Sequence, residues 1–204
     1  ELKDIASTSF LFGMGSGLIF VITTILIVQN VSLPFLKGIT PAFITIVVFT
    51  VPFEIVISYN TSILLGRDKI RAFLLMRIVH AGVFLFSFLA LRLVSDNWLL
   101  NGLYGQLICS ITVWLITCIL IMRLTSISLR FHRIFALDAF KYGIKTHIGS
   151  IVSFSEKRMD IFLVNYFLSA KAVGFYSLGT GLGEFLTYLG LASSAMLFPK
   201  VASI

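Results

Sequence analysis

The sequence predicts an all-α integral membrane protein, a polytopic bundle with six transmembrane helices. Hydrophobic residues make up 58% of the 204 residues, charged residues make up only 12%, and the mean hydropathy is +1.01. Soluble domains contain about 25% charged residues, so this composition indicates a membrane protein. The apolar runs are continuous and suit helices of about 20 residues, whereas a β-barrel would show alternating strands of about ten residues.

Six apolar runs predict six spans, separated into two groups by a basic connector. The spans are 9–29, 42–65, 72–94, 98–122, 147–168 and 173–197. The connector, residues 123–146, mixes Arg, Lys and His with Leu, Ile and Phe at helical spacing, which is typical of an amphipathic helix in the headgroup layer. We expect it to mark the boundary between two sub-bundles, four helices in residues 1–122 and two helices in residues 147–204.

Lys and Arg are unequally divided between the two sides of the predicted bundle. One side carries Lys3, Arg67, Lys69, Arg71, Arg123, Arg130, Arg133, Lys141, Lys145 and Lys200, and the other carries Lys37, Arg92 and Lys171. Because cytoplasmic loops collect Lys and Arg, residues 123–146 are predicted to be cytoplasmic. Anionic membrane lipids then account for the net charge of +7, and nucleic acid is not an expected partner.

The sequence contains no pattern that predicts bond-making chemistry. It has no metal-ligand spacing, Gly-rich phosphate loop or nucleophile elbow, so we expect neither an enzyme nor a metal cofactor. Cys109 and Cys118 fall in one apolar span, nine positions apart, and are predicted to be free, buried residues. The motif Gly13-x-Gly15-x-Gly17 predicts a small-residue face where another helix approaches closely.

The most informative feature is a charged run, Glu156-Lys157-Arg158-Met159-Asp160, near the middle of the fifth span. The ten residues that follow it, 161–170, are too few to cross a bilayer, so the span must contain the charges. An ionisable residue at mid-bilayer costs about 2.5 to 3.5 kcal/mol on insertion scales. Such residues usually face a bundle interior or a water-filled cavity.

A helical wheel divides the charged run between two faces. Ser150, Ser153, Lys157 and Asp160 lie within about 80° of one another, and Glu156 flanks Asp160. Arg158 projects to another side. Either the charges form ion pairs that only fix helix packing, or they line a cavity and contact an anionic substrate or a coupling ion. The second hypothesis is preferred, because fixed ion pairs in lipid are a costly way to specify packing.

Two further acidic residues lie inside predicted spans. Glu184 in the sixth span aligns with a polar and aromatic face that includes Tyr176. Glu54 follows Pro52, which frees a backbone carbonyl one turn earlier, and a kinked helix with an acid beside the kink suits a moving gate. An interhelical hydrogen bond without a transport role explains Glu54 and Glu184 equally well.

The chain from Lys141 to Ser203 resembles the seventh and eighth spans of Wzx-type polysaccharide and O-antigen flippases of the multidrug/oligosaccharidyl-lipid/polysaccharide exporter superfamily. The matching motifs are Lys141-Tyr142-Gly143, the pair Arg158 and Asp160 before an apolar run, Ala172-Val173-Gly174-Phe175-Tyr176-Ser177 and Leu197-Phe198-Pro199-Lys200. The loop from Ser62 to Arg71 resembles the one between the fourth and fifth spans of these proteins. The chain would then be an internal piece, about spans three to eight of a two-lobe transporter of 12 to 14 spans.

This resemblance implies alternating access in a bacterial or archaeal cytoplasmic membrane, with an undecaprenyl-pyrophosphate-linked oligosaccharide as substrate. Lys157, Arg158, Ser153 and Tyr176 would contact the substrate. The coupling proton or sodium ion would bind among Asp160, Glu156, Glu184 and Glu54, and Pro52 would serve as the gate. A polysaccharide polymerase and other membrane proteins of the pathway are the expected protein partners.

Other functions remain open at this point. A cation-coupled multidrug exporter of the same superfamily would give the acidic residues more weight, and a peptidoglycan-precursor flippase would use nearly the same chemistry. A membrane glycosyltransferase or ligase would need a large external loop, which the short connectors do not provide. A membrane assembly protein without transport activity would be favoured if the charges of the fifth span were all paired.

Overall fold

The structure is a computed structural model that describes residues 2–30, 40–125 and 133–202. Within these ranges it contains six α-helices and no strand, which confirms the predicted all-α fold class. The helices are α1 (Leu2–Asn30), α2 (Pro41–Gly66), α3 (Ile70–Arg92), α4 (Trp98–Leu124), α5 (Arg133–Phe167) and α6 (Ala170–Ala202).

Helices α1 to α4 are long and apolar enough to cross a membrane. Their most apolar stretches have a mean hydropathy of 2.3 in α1 and α4 and of 2.0 in α2 and α3. Helices α1, α2 and α4 contain the predicted spans 9–29, 42–65 and 98–122, whereas α3 ends at Arg92, two residues before the end of the predicted span 72–94. The fifth and sixth spans, which fall in α5 and α6, stay predictions, since the charged run 156–160 interrupts the apolar sequence of α5.

Local sequence signals explain where several helices begin and end. Pro41 opens α2 at a position where its missing N–H costs nothing. The side chain of Asn97 caps α4 by accepting a hydrogen bond from the backbone N–H of Leu100 at 3.1 Å. Asp68 has φ of 55° in the turn after α2, a conformation that Asp tolerates better than most residues. The N–H of Lys69 then donates back to the Leu64 carbonyl and closes the turn.

The chain divides into two compact units, and the first contains α1 to α4. In this unit α2 packs against α1 and α4, and α3 packs mainly against α4. Two small apolar clusters form its core, one around Leu64 and Ile121 and the other around Cys109 and Val113. Cys109 and Cys118 are both buried and free, as predicted.

The outer surface of the first unit is apolar. Large side chains such as Ile19, Ile78 and Phe86 are 67%, 68% and 76% exposed. A monomeric soluble protein rarely exposes apolar side chains in such numbers. Lipid is the solvent that suits this surface, since the helices satisfy their own backbone hydrogen bonds and need none from water.

Helix α5 begins inside the predicted connector. Residues 133–146 and the predicted fifth span form one continuous helix as far as Phe167, because this segment has no proline to interrupt it and only two glycines, Gly143 and Gly149. Connector residues 126–132 lie outside the described residues. The second compact unit begins at Thr146 and contains the rest of α5 and α6. Ser169 lies in the turn between them, and its hydroxyl accepts a hydrogen bond from the N–H of Ala172 at the start of α6.

Candidate functional site

Glu54 is the centre of a polar cluster inside the first unit, which we call the Glu54 cluster: Glu54, His80, Gln106 and Ser110. Its Oε1 atom accepts a hydrogen bond from Ser110 Oγ at 2.6 Å and another from Gln106 Nε2 at 3.3 Å. His80 Nε2 lies 3.3 Å from the same oxygen. Two helices, α3 and α4, therefore direct polar groups at one carboxylate oxygen of α2.

The positions of these residues explain how the Glu54 cluster is assembled. Gln106 and Ser110 are four residues apart and so project from one face of α4 towards α2. His80 comes from α3, where its backbone carbonyl accepts a hydrogen bond from Cys109 Sγ at 3.2 Å. The Glu54 and His80 side chains are 37% and 32% exposed, so the pair is neither sealed in the core nor fully open.

Other polar residues near Glu54 bond to their own helix. The hydroxyl of Thr61 donates to the Ile57 carbonyl and that of Ser62 to the Ser58 carbonyl, one turn earlier in each case. Such bonds satisfy a hydroxyl in an apolar setting without a ligand. Pro52 is buried within α2, which continues through it from Pro41 to Gly66. Its role as a gate stays a prediction.

The charged run of α5 forms the second candidate site, in the second unit. Lys157 and Arg158 line an open cavity of about 710 Å³ together with Gly149, Ser150, Ser153 and Phe154. We call this the α5 cavity. Among the described residues, its lining contains two cations and two hydroxyl groups and no carboxylate. Three of the four predicted substrate contacts, Ser153, Lys157 and Arg158, therefore meet at one place.

The fourth predicted substrate contact, Tyr176, lies elsewhere. It lines a separate cavity of about 660 Å³ between α5 and α6, among mostly apolar residues. The Tyr176 hydroxyl donates a hydrogen bond of 2.6 Å to Asp160 Oδ2, and the other carboxylate oxygen accepts one from the N–H of Ile161. Asp160 thus binds α6 and does not line the α5 cavity with Lys157, although the two share a face on the helical wheel.

Arg158 also differs from the helical-wheel prediction, but it shares a cavity with Lys157 where the wheel separates the two residues. We predicted that it projects to another side from Lys157, but the two residues line the same cavity. The wheel follows the direction of the Cβ atom, whereas the flexible arginine side chain reaches well beyond it. Arg158 Nη2 also lies 3.2 Å from Oε1 and 3.4 Å from Oε2 of Glu184 on α6. Glu184 is therefore paired with a cation.

The remaining charges of the run are not paired in the described part of the chain. Lys157 makes no ion pair or hydrogen bond there, and neither does Glu156, which is exposed. Within the charged run, Arg158 therefore has an ion-pair partner and Asp160 a hydrogen-bond partner on α6, whereas Lys157 and Glu156 have neither in the described part of the chain. Among the described residues, no group of three His, Cys, Asp or Glu side chains could hold a metal ion.

Sequence reasoning identified Glu54 but missed the other three members of its cluster. His80 was assigned to no site, and Gln106 and Ser110 were not singled out at all. The available signal was the spacing of Gln106 and Ser110, which places two polar side chains on one face of an otherwise apolar helix. That spacing indicates a polar partner on another helix, but it does not say which one.

Comparison with known proteins places almost the whole chain in one family. A family model with the description "Polysaccharide biosynthesis protein" matches residues 2–204. No curated protein and no solved structure matches the chain. The chain therefore belongs to the polysaccharide biosynthesis protein family, as a membrane protein with a role in making polysaccharide.

Proposed function

We propose that the chain is part of a flippase that moves an undecaprenyl-pyrophosphate-linked oligosaccharide across the cytoplasmic membrane by alternating access. The observation that carries this proposal is the α5 cavity, where Lys157 and Arg158 stand beside two serine hydroxyls. A role in polysaccharide biosynthesis follows from the family. The flippase activity and the lipid carrier are inferred from the chemistry of the cavity and from the resemblance to Wzx-type proteins.

The α5 cavity suits a pyrophosphate group. Arginine offers planar donors that match phosphate oxygens, lysine adds a point charge, and hydroxyl groups supply neutral donors. A lipid-linked sugar needs a polar site for its headgroup within reach of the lipid that holds its tail. The α5 cavity is open, and Phe154 adds an apolar side chain to its wall.

The same lining argues against a multidrug exporter for organic cations. Such an exporter needs negative groups where the drug binds, and none of the described residues that line the α5 cavity is a carboxylate. A peptidoglycan-precursor flippase would bind the same pyrophosphate group. The two flippases would differ in the lipid-linked intermediate that accumulates in cells when transport is blocked.

We also propose that the Glu54 cluster binds the coupling ion. An acid within an apolar helix is costly unless it is paired or functional, and Glu54 gathers its donors from two other helices. The atoms that face Glu54 Oε1 include nitrogens of Gln106 and His80, whereas hard cations such as sodium prefer oxygen ligands. A proton is therefore the favoured ion over sodium. Asp160 and Glu184 each meet one side chain of the neighbouring helix, Tyr176 and Arg158, whereas Glu54 meets three side chains from two helices, which makes Glu54 the stronger candidate.

Alanine substitution of Lys157 or Arg158 in the full-length protein tests the flippase proposal. We expect surface polysaccharide to be lost and lipid-linked oligosaccharide to accumulate, with the amount of protein in the membrane unchanged. Lys171→Ala is the matched control, because Lys171 is exposed near the start of α6 and lies outside the α5 cavity. Normal surface polysaccharide in both cavity variants would contradict the proposal and favour an assembly role.

A further inference from the structure

We propose that Glu184 occupies the place of the substrate's anionic group on Arg158, and that a pyrophosphate entering the α5 cavity displaces it. This inference rests on the function proposed above. It starts from the observation that one side chain, Arg158, takes part in two sets of contacts. Arg158 lines the α5 cavity and is also paired with both carboxylate oxygens of Glu184, at 3.2 and 3.4 Å.

The pair is accessible enough for such an exchange. The Arg158 and Glu184 side chains are each 40% exposed, so neither is locked in a sealed core. Ion pairs of this kind are weak, because solvent already competes for both partners. A pyrophosphate carries more negative charge than one carboxylate and offers more acceptor oxygens, so it is the stronger partner for an arginine.

The charge balance explains why an exchange is useful. Without Glu184, an empty α5 cavity would hold two neighbouring cations, Lys157 and Arg158, whose like charges repel each other. Glu184 neutralises one of them until the substrate arrives. Asp160 also interacts with Arg158 electrostatically, but its carboxylate oxygens are held by Tyr176 and by the Ile161 N–H. Glu184 is therefore the acid placed to exchange.

The exchange has a mechanical consequence. Arg158 belongs to α5 and Glu184 to α6, so release of the ion pair removes one of the polar contacts between these two helices. The Asp160–Tyr176 hydrogen bond remains nearer the turn. Substrate binding would thereby free the part of α6 that lies further from the turn, which couples headgroup recognition to helix movement.

Binding of a soluble lipid pyrophosphate to the purified full-length protein tests the inference. The probe is geranylgeranyl pyrophosphate, with geranylgeraniol as its uncharged counterpart, and the Kd is measured by calorimetry. Glu184→Gln should bind the pyrophosphate about fivefold more tightly than the unmodified protein, since the competing ion pair is gone. Arg158→Ala should bind it more weakly, and adding Glu184→Gln to Arg158→Ala should bring no gain.

Glu156→Gln is the matched control, because it removes the same charge from an exposed neighbour that has no ion pair in the described chain. We expect its Kd to stay within about twofold of the unmodified protein. An equal gain in Glu156→Gln and Glu184→Gln would show a general charge effect and overturn the exchange. An unchanged Kd in Glu184→Gln would overturn it as well and leave the flippase proposal standing.

Absence of pyrophosphate binding in the unmodified protein and every variant would contradict the α5 cavity as a headgroup site, and the exchange with it. If Glu184→Gln does not fold, Glu184→Asp serves in its place. The shorter side chain keeps the negative charge but draws it back from Arg158, so a smaller gain in affinity is expected. No gain in a folded Glu184→Asp protein would count against the exchange.

Discussion

A Cβ atom placed on Gly17 would lie 2.6 Å from the Cα atom of Pro52, so helices α1 and α2 touch backbone to backbone at this point. Gly13, one turn earlier, also faces α2, where a Cβ atom would lie 3.1 Å from a methyl group of Val56. The predicted close approach at the glycine motif is thus confirmed for Gly13 and Gly17. It is wrong for Gly15, which faces open space.

Substitution of Gly17 should destabilise the first unit. Gly17→Ala forces α1 and α2 apart, because the new methyl group meets backbone and not a flexible side chain, and overpacking of this kind costs about 1 to 3 kcal/mol. The free energy of unfolding of the full-length protein in mixed micelles is the measurement. Gly15→Ala is the control and should not lower stability, since helices favour alanine over glycine. Equal stability of the two variants would contradict the close contact.

How far the sequence predicts this molecule is shown by Glu54 and Arg158. Hydropathy alone places Glu54 inside a span, because one charge in an apolar run is visible without any neighbour. Its partners on α3 and α4 are not visible, since sequence spacing says which residues share a helix face but not which faces meet. The fold class was predictable because long apolar runs are visible in the sequence. The membership of the Glu54 cluster was not predictable, because it depends on which helix faces meet.

Arg158 illustrates a different limit. The helical wheel predicts a Cβ direction on a different side of α5 from that of Lys157, yet both side chains line one cavity. A long, flexible side chain covers a wider arc than its Cβ direction indicates. Wheel arguments therefore hold better for short residues such as Ser150 and Ser153, which do line the predicted cavity, than for arginine.

Asn60 should contribute measurably to the packing of α2 on α4. It is buried, and its amide donates to Thr117 Oγ at 3.3 Å and contacts Cys118 Sγ at 3.6 Å. Asn60→Val removes these contacts and should lower the free energy of unfolding by about 1 kcal/mol. Ser62→Ala on the same helix is the control. Ser62 is exposed and bonds only to its own helix, so its loss should change stability by less than about 0.5 kcal/mol.

The predicted topology can be tested with a thiol reagent that does not cross membranes. Lys141 is exposed on α5 in the segment predicted to be cytoplasmic, so Lys141→Cys should not be labelled in intact cells. Ser95→Cys, in the exposed turn between α3 and α4, lies on the predicted external side and should be labelled. Both sites should react once the membrane is opened. The native Cys109 and Cys118 are buried and should give little background. Labelling of Lys141→Cys from outside would show that the predicted topology is inverted.

Neutralising Glu54 should uncouple transport from the ion gradient. In liposomes that contain the full-length protein and lipid-linked oligosaccharide from producing cells, an imposed proton gradient should accelerate flipping by the unmodified protein. Glu54→Gln keeps the size of the side chain and can still bond to Ser110, but it cannot bind and release a proton, so its flipping should not respond to the gradient. Asp68→Asn is the matched control: it neutralises an exposed acid outside the Glu54 cluster, at a positive φ that asparagine tolerates, and it should keep the response. A normal gradient response in Glu54→Gln would reduce the cluster to a packing element of α2, α3 and α4. A response of the unmodified protein to a sodium gradient and not to a proton gradient would contradict the proposal that the coupling ion is a proton.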